Sequence, residues 1–257
     1  MKNANLPILH SDFFILHSRI DILRTCDNKR SMHLIEIYRS IQGESSFAGL
    51  PCTFVRLAGC NLRCTWCDSE YTFSGGRKMS IEEVEAEVKR LSPAGLVEIT
   101  GGEPMLQERE LVPLMECLLA SGYELLLETS GERPLERVPR PVHKIVDVKC
   151  PDSGAGGTFR MENLATLGPA DEVKFVIASR ADYDFARDFT RQHELERRTG
   201  GVIFSPAFRK DAAVARDVSH CVVDPRDLAG WIVADGLNVR LGLQIHKFIW
   251  APETKDV

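Results

Sequence analysis

Three cysteines, Cys60, Cys64 and Cys67, stand at C-x3-C-x2-C spacing in the segment GCNLRCTWCDS, directly after a run that reads as a strand, Thr53–Leu57. Thiolates this close can face one metal centre from a single loop, and Gly59 permits the tight turn that leads into it. Three ligands rather than four would leave a coordination position open, as in catalytic rather than structural metal sites. A sulfur-only set suits an iron–sulfur cluster, with zinc as the competitor. A structural zinc knuckle would borrow its fourth ligand from Cys52, Cys150 or a histidine. Packing alone accounts less well for the segment, because Asn61, Arg63, Thr65 and Asp68 make it polar.

The rest of the chain has to position that loop. Its 257 residues are 44% hydrophobic and 27% charged, an ordinary globular composition with enough length for a core that needs no disulfides. A formal charge of −5, from 32 basic and 37 acidic residues, disfavours an unspecific phosphate-binding surface. No stretch approaches the ~20 apolar residues that span a bilayer. Eight cysteines are too few for a disulfide scaffold of this length. The apolar stretch Leu6–Leu23 is broken by His10, Asp12, His17, Arg19 and Asp21, and no small-residue cleavage site follows, so export is not expected. Residues 1–31 are expected to be an N-terminal extension, with Met32 as the start of the biological chain. A docking amphipathic segment is the other reading.

From Met32 onward strand and helix patterns alternate. Leu34–Tyr38 and Thr53–Leu57 read as strands, as do 96–100, 123–129, 144–149, 172–178, 201–205 and 238–245. Ser80 and Glu83 form a capping box ahead of Ile81, Val84, Val88 and Leu91 at helical spacing. Further helices are expected over 107–121, stopped at Gly122, and near 180–198, 209–217 and 225–233. This order predicts one α/β domain over 32–257, a parallel sheet covered by helices, either open or curled into a barrel.

With Trp66 before its last cysteine, the loop resembles that of the radical S-adenosylmethionine (SAM) enzymes. Gly101-Gly102-Glu103-Pro104 resembles the segment of that superfamily that holds the methionine amino group, and Glu128-Thr129-Ser130-Gly131 resembles its element near the SAM ribose. The three matches come in order at strand ends, where parallel α/β folds bind ligands. The flanks IYRSIQGESSFAGLPCTFVRLAGCNLRCTWCDSEYTF, Asp147-Val148-Lys149 and LQIHKFIW are similar to the 7-carboxy-7-deazaguanine synthase family over nearly all of residues 32–250.

That resemblance implies an incomplete TIM-like βα barrel and a lyase of queuosine (7-deazapurine) biosynthesis. It implies conversion of 6-carboxy-5,6,7,8-tetrahydropterin to 7-carboxy-7-deazaguanine with loss of ammonia, through a 5′-deoxyadenosyl radical. Cys60, Cys64 and Cys67 would hold a [4Fe–4S] cluster whose fourth iron binds SAM. Ser69 would be a hydroxyl ligand for Mg2+, although without the family match it could equally cap a turn beside Asp68. Trp66, Asp68, Gly102 and Glu103 would contact SAM, as would Lys149, Cys150 and Pro151. At Cys150 the family more often has proline or a small residue, which also suits a buried thiol. Arg56 would grip the substrate carboxylate with its guanidinium fork, and otherwise would be a surface arginine. Ile41, Gln42, Gly43 and Glu44 would meet the pterin amide edge, with Thr100 adding a hydrogen bond. Glu128, Ser130, Ser205 and Pro206 are further candidates. His246 is a substrate neighbour or a packed strand-end histidine, and Val257 could offer a terminal carboxylate.

The same resemblance implies a homodimer, a flavodoxin or ferredoxin as electron donor, no direct contact with nucleic acid or membrane, and a cytoplasmic location that keeps thiols reduced. The other functional classes are a radical SAM activase acting on a partner protein and a zinc-binding interaction module without catalysis. Cys26, Cys117 and Cys221 carry no assigned chemistry, and Cys117 is expected in the core.

Overall fold

The computed structural model describes residues 30–93, 95–210 and 218–250. The proposed extension, apart from its last two residues, and Val257 lie outside them, as do residues 211–217 of the helix expected over 209–217. Strand β1 (Ser31–Ile41) pairs antiparallel with both β2 (Pro51–Leu57) and β3 (Arg77–Ser80). From β2 onward every pairing is parallel, through β4 (Leu96–Gly101), β5 (Glu124–Thr129), β6 (His143–Asp147), β7 (Glu172–Ile177), β8 (Gly201–Pro206) and β9 (Arg240–Leu241). The sheet order is β3-β1-β2-β4-β5-β6-β7-β8-β9. It is a partial TIM-like barrel whose antiparallel edge was not part of the sequence-based expectation.

Every residue of β4 and β7 is buried, as both-face coverage of a parallel sheet requires. The period of two sorts their side chains. Val97, Ile99, Leu125, Leu127, Val146 and Phe175 join the main core beneath the helices. On the opposite, inner face, Tyr38, Phe54, Leu126 and Ile145 form a smaller apolar floor. Two residues further along their strands from Phe54, Leu126 and Ile145, the same face carries Arg56, Glu128 and Asp147. Buried Glu98 and Glu172 stand in register with this floor, and further charges follow toward the C-terminal strand ends.

Helix α1 (Ile81–Leu91) starts at the expected capping box: Glu83 N–H donates to Ser80 Oγ at 3.2 Å and Ser80 N–H to Glu83 Oε2 at 2.7 Å. Helix α2 (Glu108–Ala120) follows β4. The single helix expected over 180–198 is two, α3 (Arg180–Gln192) and α4 (Leu195–Arg198), because Glu194 takes a left-handed φ of 50° that an α-helix cannot continue through. Helix α5 (Pro225–Asp235) starts at the Asp224 cap and stops at left-handed Gly236. The strand expected over 238–245 shrinks to Arg240–Leu241, and His246 opens a one-turn helix, α6 (His246–Ile249), instead of ending a strand.

No α-helix occupies the β5–β6 and β6–β7 crossovers; the second carries two short 3-10 helices, Pro151–Ser153 and Met161–Thr166, and fully buried Asn163 staples the two crossovers together. Its amide donates to the carbonyls of Gly131 and Arg133, both at 2.8 Å, while its Oδ1 accepts from Leu135 N–H at 3.0 Å. The β1–β2 loop reaches across the open side of the barrel. Ser46 N–H donates to the Glu172 carboxylate of β7, and the Gly43 carbonyl accepts from Ile245 N–H at 2.9 Å. Among the described residues no helix is long and apolar enough to cross a membrane.

Ser80→Ala removes the hydroxyl arm of the capping box at the end of edge strand β3, outside the cavity lining. It should cost about 1 kcal/mol, a fall in Tm of roughly 2–4 °C in a thermal melt, with activity retained.

Candidate active site

The loop after β2 is held from several sides before any ligand is considered. Gly59 has φ 96° and its N–H donates to the Thr72 carbonyl at 2.7 Å. Arg63 donates to the carbonyls of Cys60 (2.8 Å) and Leu62 (2.7 Å), and its guanidinium lies 4.1 Å from the Phe73 ring centroid. Thr65 N–H donates to the Ser153 carbonyl at 2.9 Å, tying the loop to the turn after β6. Gly102 packs so closely that a Cβ there would sit 2.4 Å from the Gly59 carbonyl oxygen and 2.6 Å from Cys60 Cβ. The GGEP glycine thus serves as a spacer that lets β4 approach the cysteine loop.

Glu103 fastens the same corner. It is fully buried, and its Oε1 accepts from Met105 N–H (3.0 Å) and Thr129 Oγ1 (2.7 Å), its Oε2 from Ser130 N–H (2.9 Å) and Ser130 Oγ (2.6 Å). Four donors fill the lone-pair sites of a carboxylate, so Glu103 joins the ends of β4 and β5, and its expected contact to SAM has little acceptor capacity left. The Ser130 hydroxyl is likewise committed to that clamp.

One cavity collects most of the expected site. Cys60, Cys64, Trp66, Cys67, Asp68 and Ser69 line it from the loop, and Arg56, Thr100, Gly102, Glu103, Glu128, Ser130 and Lys149 from the strand ends. Arg56 is mostly buried rather than a surface arginine; its Nε donates to Glu36 Oε1 and its Nη2 to Tyr38 Oη, both at 2.7 Å. Of its five N–H donors, three remain, enough for a bidentate grip on a carboxylate. The Ser69 hydroxyl does not cap the following turn; its carbonyl does, accepting from Thr72 Oγ1 at 2.7 Å. Asp68, half exposed at the rim, pairs with Lys247 at 2.6 Å, and that ammonium holds its carboxyl below the usual carboxylate range.

Other expected residues fall elsewhere. Gln42 is buried outside the cavity, its amide donating to Glu98 Oε2 at 2.9 Å and its Oε1 accepting from Glu44 N–H at 2.7 Å. Glu44 bonds Lys174 and accepts from Gln244 Nε2 at 2.5 Å, and lines a neighbouring cavity together with Ser205. Ile41 ends β1, and Gly43 is covered by the His246 ring, whose Nδ1 a Gly43 Cβ would approach to 2.1 Å. His246 is thus a packed residue of α6 whose burial lowers its affinity for a proton. Cys150 is a buried thiol and Pro151 an exposed turn residue, neither lining the cavity, and Pro206 is buried at the end of β8.

The structure adds residues that the sequence reading did not single out. Lys174 of β7 is buried on the inner face, 2.5 Å from Glu128 Oε1 and 3.7 Å from Asp147 Oδ2, and bonded to Glu44. Burial alone would lower its pKa; Glu128, Glu44 and Asp147 together raise it well above the usual lysine range. Burial raises the Glu128 carboxyl, with Lys174 opposing. A lysine inside the otherwise apolar stretch Val173–Ile177 was the available signal, because a buried strand admits a charge only where it is paired.

The donor set suits the group that the cysteine spacing implies. Cys60, Cys64 and Cys67 are free, partly exposed thiols on one cavity wall. Burial pushes the Cys60 and Cys64 thiols up, with Lys149 opposing at Cys64. Cys150, a suggested fourth sulfur, faces elsewhere. Among the described residues no three His, Cys, Asp or Glu side chains converge as on one ion. Three free thiols on one cavity wall are the soft donors that an iron–sulfur cluster takes.

Comparisons with known proteins agree with this chemistry. A model of the radical SAM superfamily matches residues 54–148. The chain is 71% identical over 226 residues to the 7-carboxy-7-deazaguanine synthase of Koribacter versatilis (strain Ellin345), covering 88% of this chain and 100% of that one. It is 41% identical over 229 residues to the enzyme of the same name from Chlorobaculum tepidum, covering 88% and 97%. Among solved structures it is similar in fold to QueE from Escherichia coli, with TM-score 0.66, 22% identity, and coverage of 87% of this chain and 97% of that one.

Gly102→Ala would drive a methyl group into the Gly59 backbone. Iron and sulfide loading should fall at least severalfold while far-ultraviolet circular dichroism stays unchanged.

Proposed function

The chain belongs to the 7-carboxy-7-deazaguanine synthase family of the radical SAM superfamily, and from that premise we propose that it converts 6-carboxy-5,6,7,8-tetrahydropterin to 7-carboxy-7-deazaguanine with release of ammonia, in queuosine (7-deazapurine) biosynthesis. The observation that carries this reading is one cavity bounded by three cysteine thiols on one side and by the spare donors of Arg56 on another. A [4Fe–4S] cluster and SAM belong to this superfamily and, when bound, supply the radical that takes a hydrogen atom from substrate.

The chain's own residues bind, orient and shield. Cys60, Cys64 and Cys67 would hold the cluster, with Trp66, Asp68, Gly102 and Lys149 beside SAM. Arg56, fixed by Glu36 and Tyr38, would anchor the substrate carboxylate without having to be ordered on binding. Thr100 and Glu128 would meet the pterin ring. Glu128, ion-paired with Lys174 at the cavity wall, would accept a hydrogen bond from a ring N–H. Leu62, Phe73 and Val176 would keep water from the reacting atoms. Ser69, its hydroxyl free of the following turn, would be a protein ligand to Mg2+, an ion that usually keeps substrate oxygens and waters. A flavodoxin- or ferredoxin-type donor, a homodimer and a cytoplasmic setting complete the reading, the last because an oxygen-sensitive cluster needs reducing surroundings.

Two variants test it in anaerobic assays with SAM, Mg2+, reductant and the carboxytetrahydropterin. Cys64→Ala should lose both the cluster absorbance and turnover; an active variant would refute the ligand assignment. Ser69→Ala should keep the cluster but need about tenfold more Mg2+ for half-maximal rate, and an unchanged Mg2+ response would remove the serine from the metal site. Failure of the wild-type holoenzyme to form the deazaguanine would sink the substrate assignment.

A further inference from the structure

Glu98 is a buried acid that the reaction chemistry does not use. It stands in the middle of β4 on the inner face, in register with Phe54 and Leu126 of the apolar floor, and only 2% of it is exposed. Glu44 and Glu128 lean on Lys174, whereas Glu98 has no ion-pair partner among the described residues. Its Oε2 accepts from Gln42 Nε2 at 2.9 Å. Burial, with the Glu128 and Glu44 charges, pushes its carboxyl well above the usual carboxylate range, while the Gln42 hydrogen bond and Arg56 oppose. The uncharged acid is thereby favoured, so what it offers Gln42 is a hydrogen-bond acceptor and not a charge.

Gln42 passes that hold on to the β1–β2 loop. With its NH2 committed to Glu98, its Oε1 faces the Glu44 N–H and accepts from it at 2.7 Å. Its backbone closes the same loop, donating to the Leu50 carbonyl at 2.9 Å and accepting from Gly49 N–H at 2.8 Å. Glu44 then bonds Lys174, which reaches Glu128, and these last two line the cavity beside Thr100 and Arg56. Glu98 itself lies outside that lining, one inward-facing step before Thr100 on β4. A chain of polar contacts therefore runs from the floor to the wall expected to meet the pterin. It does not pass the Trp66, Gly102 and Lys149 surroundings expected to meet SAM.

We propose that Glu98 is a positioning residue for the pterin site: by accepting from Gln42 it fixes the β1–β2 loop so that Glu44 meets Lys174, and it leaves the cluster and SAM positions untouched. The identity of the ligand rests on the functional reading above; the tie between floor and loop does not.

The test compares Glu98→Gln, which keeps a neutral acceptor of the same shape, with Glu98→Leu, which removes it. Anaerobically reconstituted holoenzyme is titrated calorimetrically with SAM and with the carboxytetrahydropterin, and hydrogen–deuterium exchange is followed in the 42–50 loop. Glu98→Leu should bind the pterin about tenfold more weakly, keep SAM affinity within about twofold and full iron content, and exchange the loop severalfold faster. Glu98→Gln should stay within about twofold of wild type in every measurement. Three outcomes overturn the proposal: wild-type behaviour of Glu98→Leu, equal weakening of both ligands with a lowered Tm, and a Glu98→Gln as impaired as Glu98→Leu. They would mean no role, a purely structural role and a role as a charge. Should Glu98→Leu not fold, Gln42→Leu is compared with the double variant Gln42→Leu/Glu98→Leu, in which an apolar pair leaves no polar group orphaned. The pterin loss caused by Gln42→Leu should then grow less than about twofold, because Glu98 acts through Gln42; a larger growth, or no loss in either, overturns the proposal. A wild-type holoenzyme that binds SAM but no carboxytetrahydropterin ends the functional reading, and loop exchange then decides alone. Faster exchange in Glu98→Leu but not in Glu98→Gln upholds the tie, and unchanged exchange overturns it.

Discussion

Lys174 is the group on which the barrel interior turns. A buried ammonium is tolerated only if opposite charges reach it, and three do: Glu44 from the β1–β2 loop, Glu128 from β5 and Asp147 from β6. Each acid would in turn be costly to bury without the lysine. The requirement for mutual pairing therefore fixes where a loop and three strand ends stand relative to one another. Through Gln244, which donates to Glu44, it also reaches the segment after β9. The β1–β2 loop is held there by Glu44, which bonds Lys174 and accepts from Gln244.

A second constraint joins the first at the barrel mouth. The cysteine loop must hold three thiols on one wall, and free thiols exert no geometry of their own before a cluster binds. Surrounding protein contacts do that work instead, through Gly102 beneath Cys60, the Arg63 guanidinium hydrogen bonds and the tie from Thr65 to the turn after β6. Glu103 then locks the glycine segment to β5 by satisfying four donors at once. The residues around the expected SAM position thus divide by role. Some present themselves to the cavity, whereas Glu103 and the turn at Pro151 hold others in place. A purely sequential reading merges these roles, because both kinds of residue lie in the same short motifs.

How the inner face is layered explains what was legible. The Cys60–Cys67 spacing, the Ser80 capping box, the Thr100–Pro104 strand end and the run of parallel strands are local patterns, and local stereochemistry decides them. Arg56 was legible as a strand-end cation, but whether it faced solvent or cavity depended on Glu36 and Tyr38 across the β1–β2 pair. Gln42 read as a ligand contact and His246 as either a substrate neighbour or a packed histidine; both are turned to protein partners, Glu98 for the first and Gly43 for the second. The strand expected over 238–245 is confined to Arg240–Leu241, which pair with Ile203 and Phe204 of β8, while Val239 packs on the main core.

The amino-acid sequence by itself determined the chemistry: three thiols at a spacing that one loop can present, placed at the end of a strand in an α/β chain. Residue type and separation along the backbone are enough for that, since the groups concerned are neighbours in the chain. Only the tertiary structure decided that Lys174, Glu44, Glu128 and Asp147 form one buried network. These groups are brought together from separate strands and a loop, and burial makes each charge depend on partners distant in sequence. Pairing energy in a low-dielectric interior is a property of that assembled geometry and leaves little trace in any single stretch of residues.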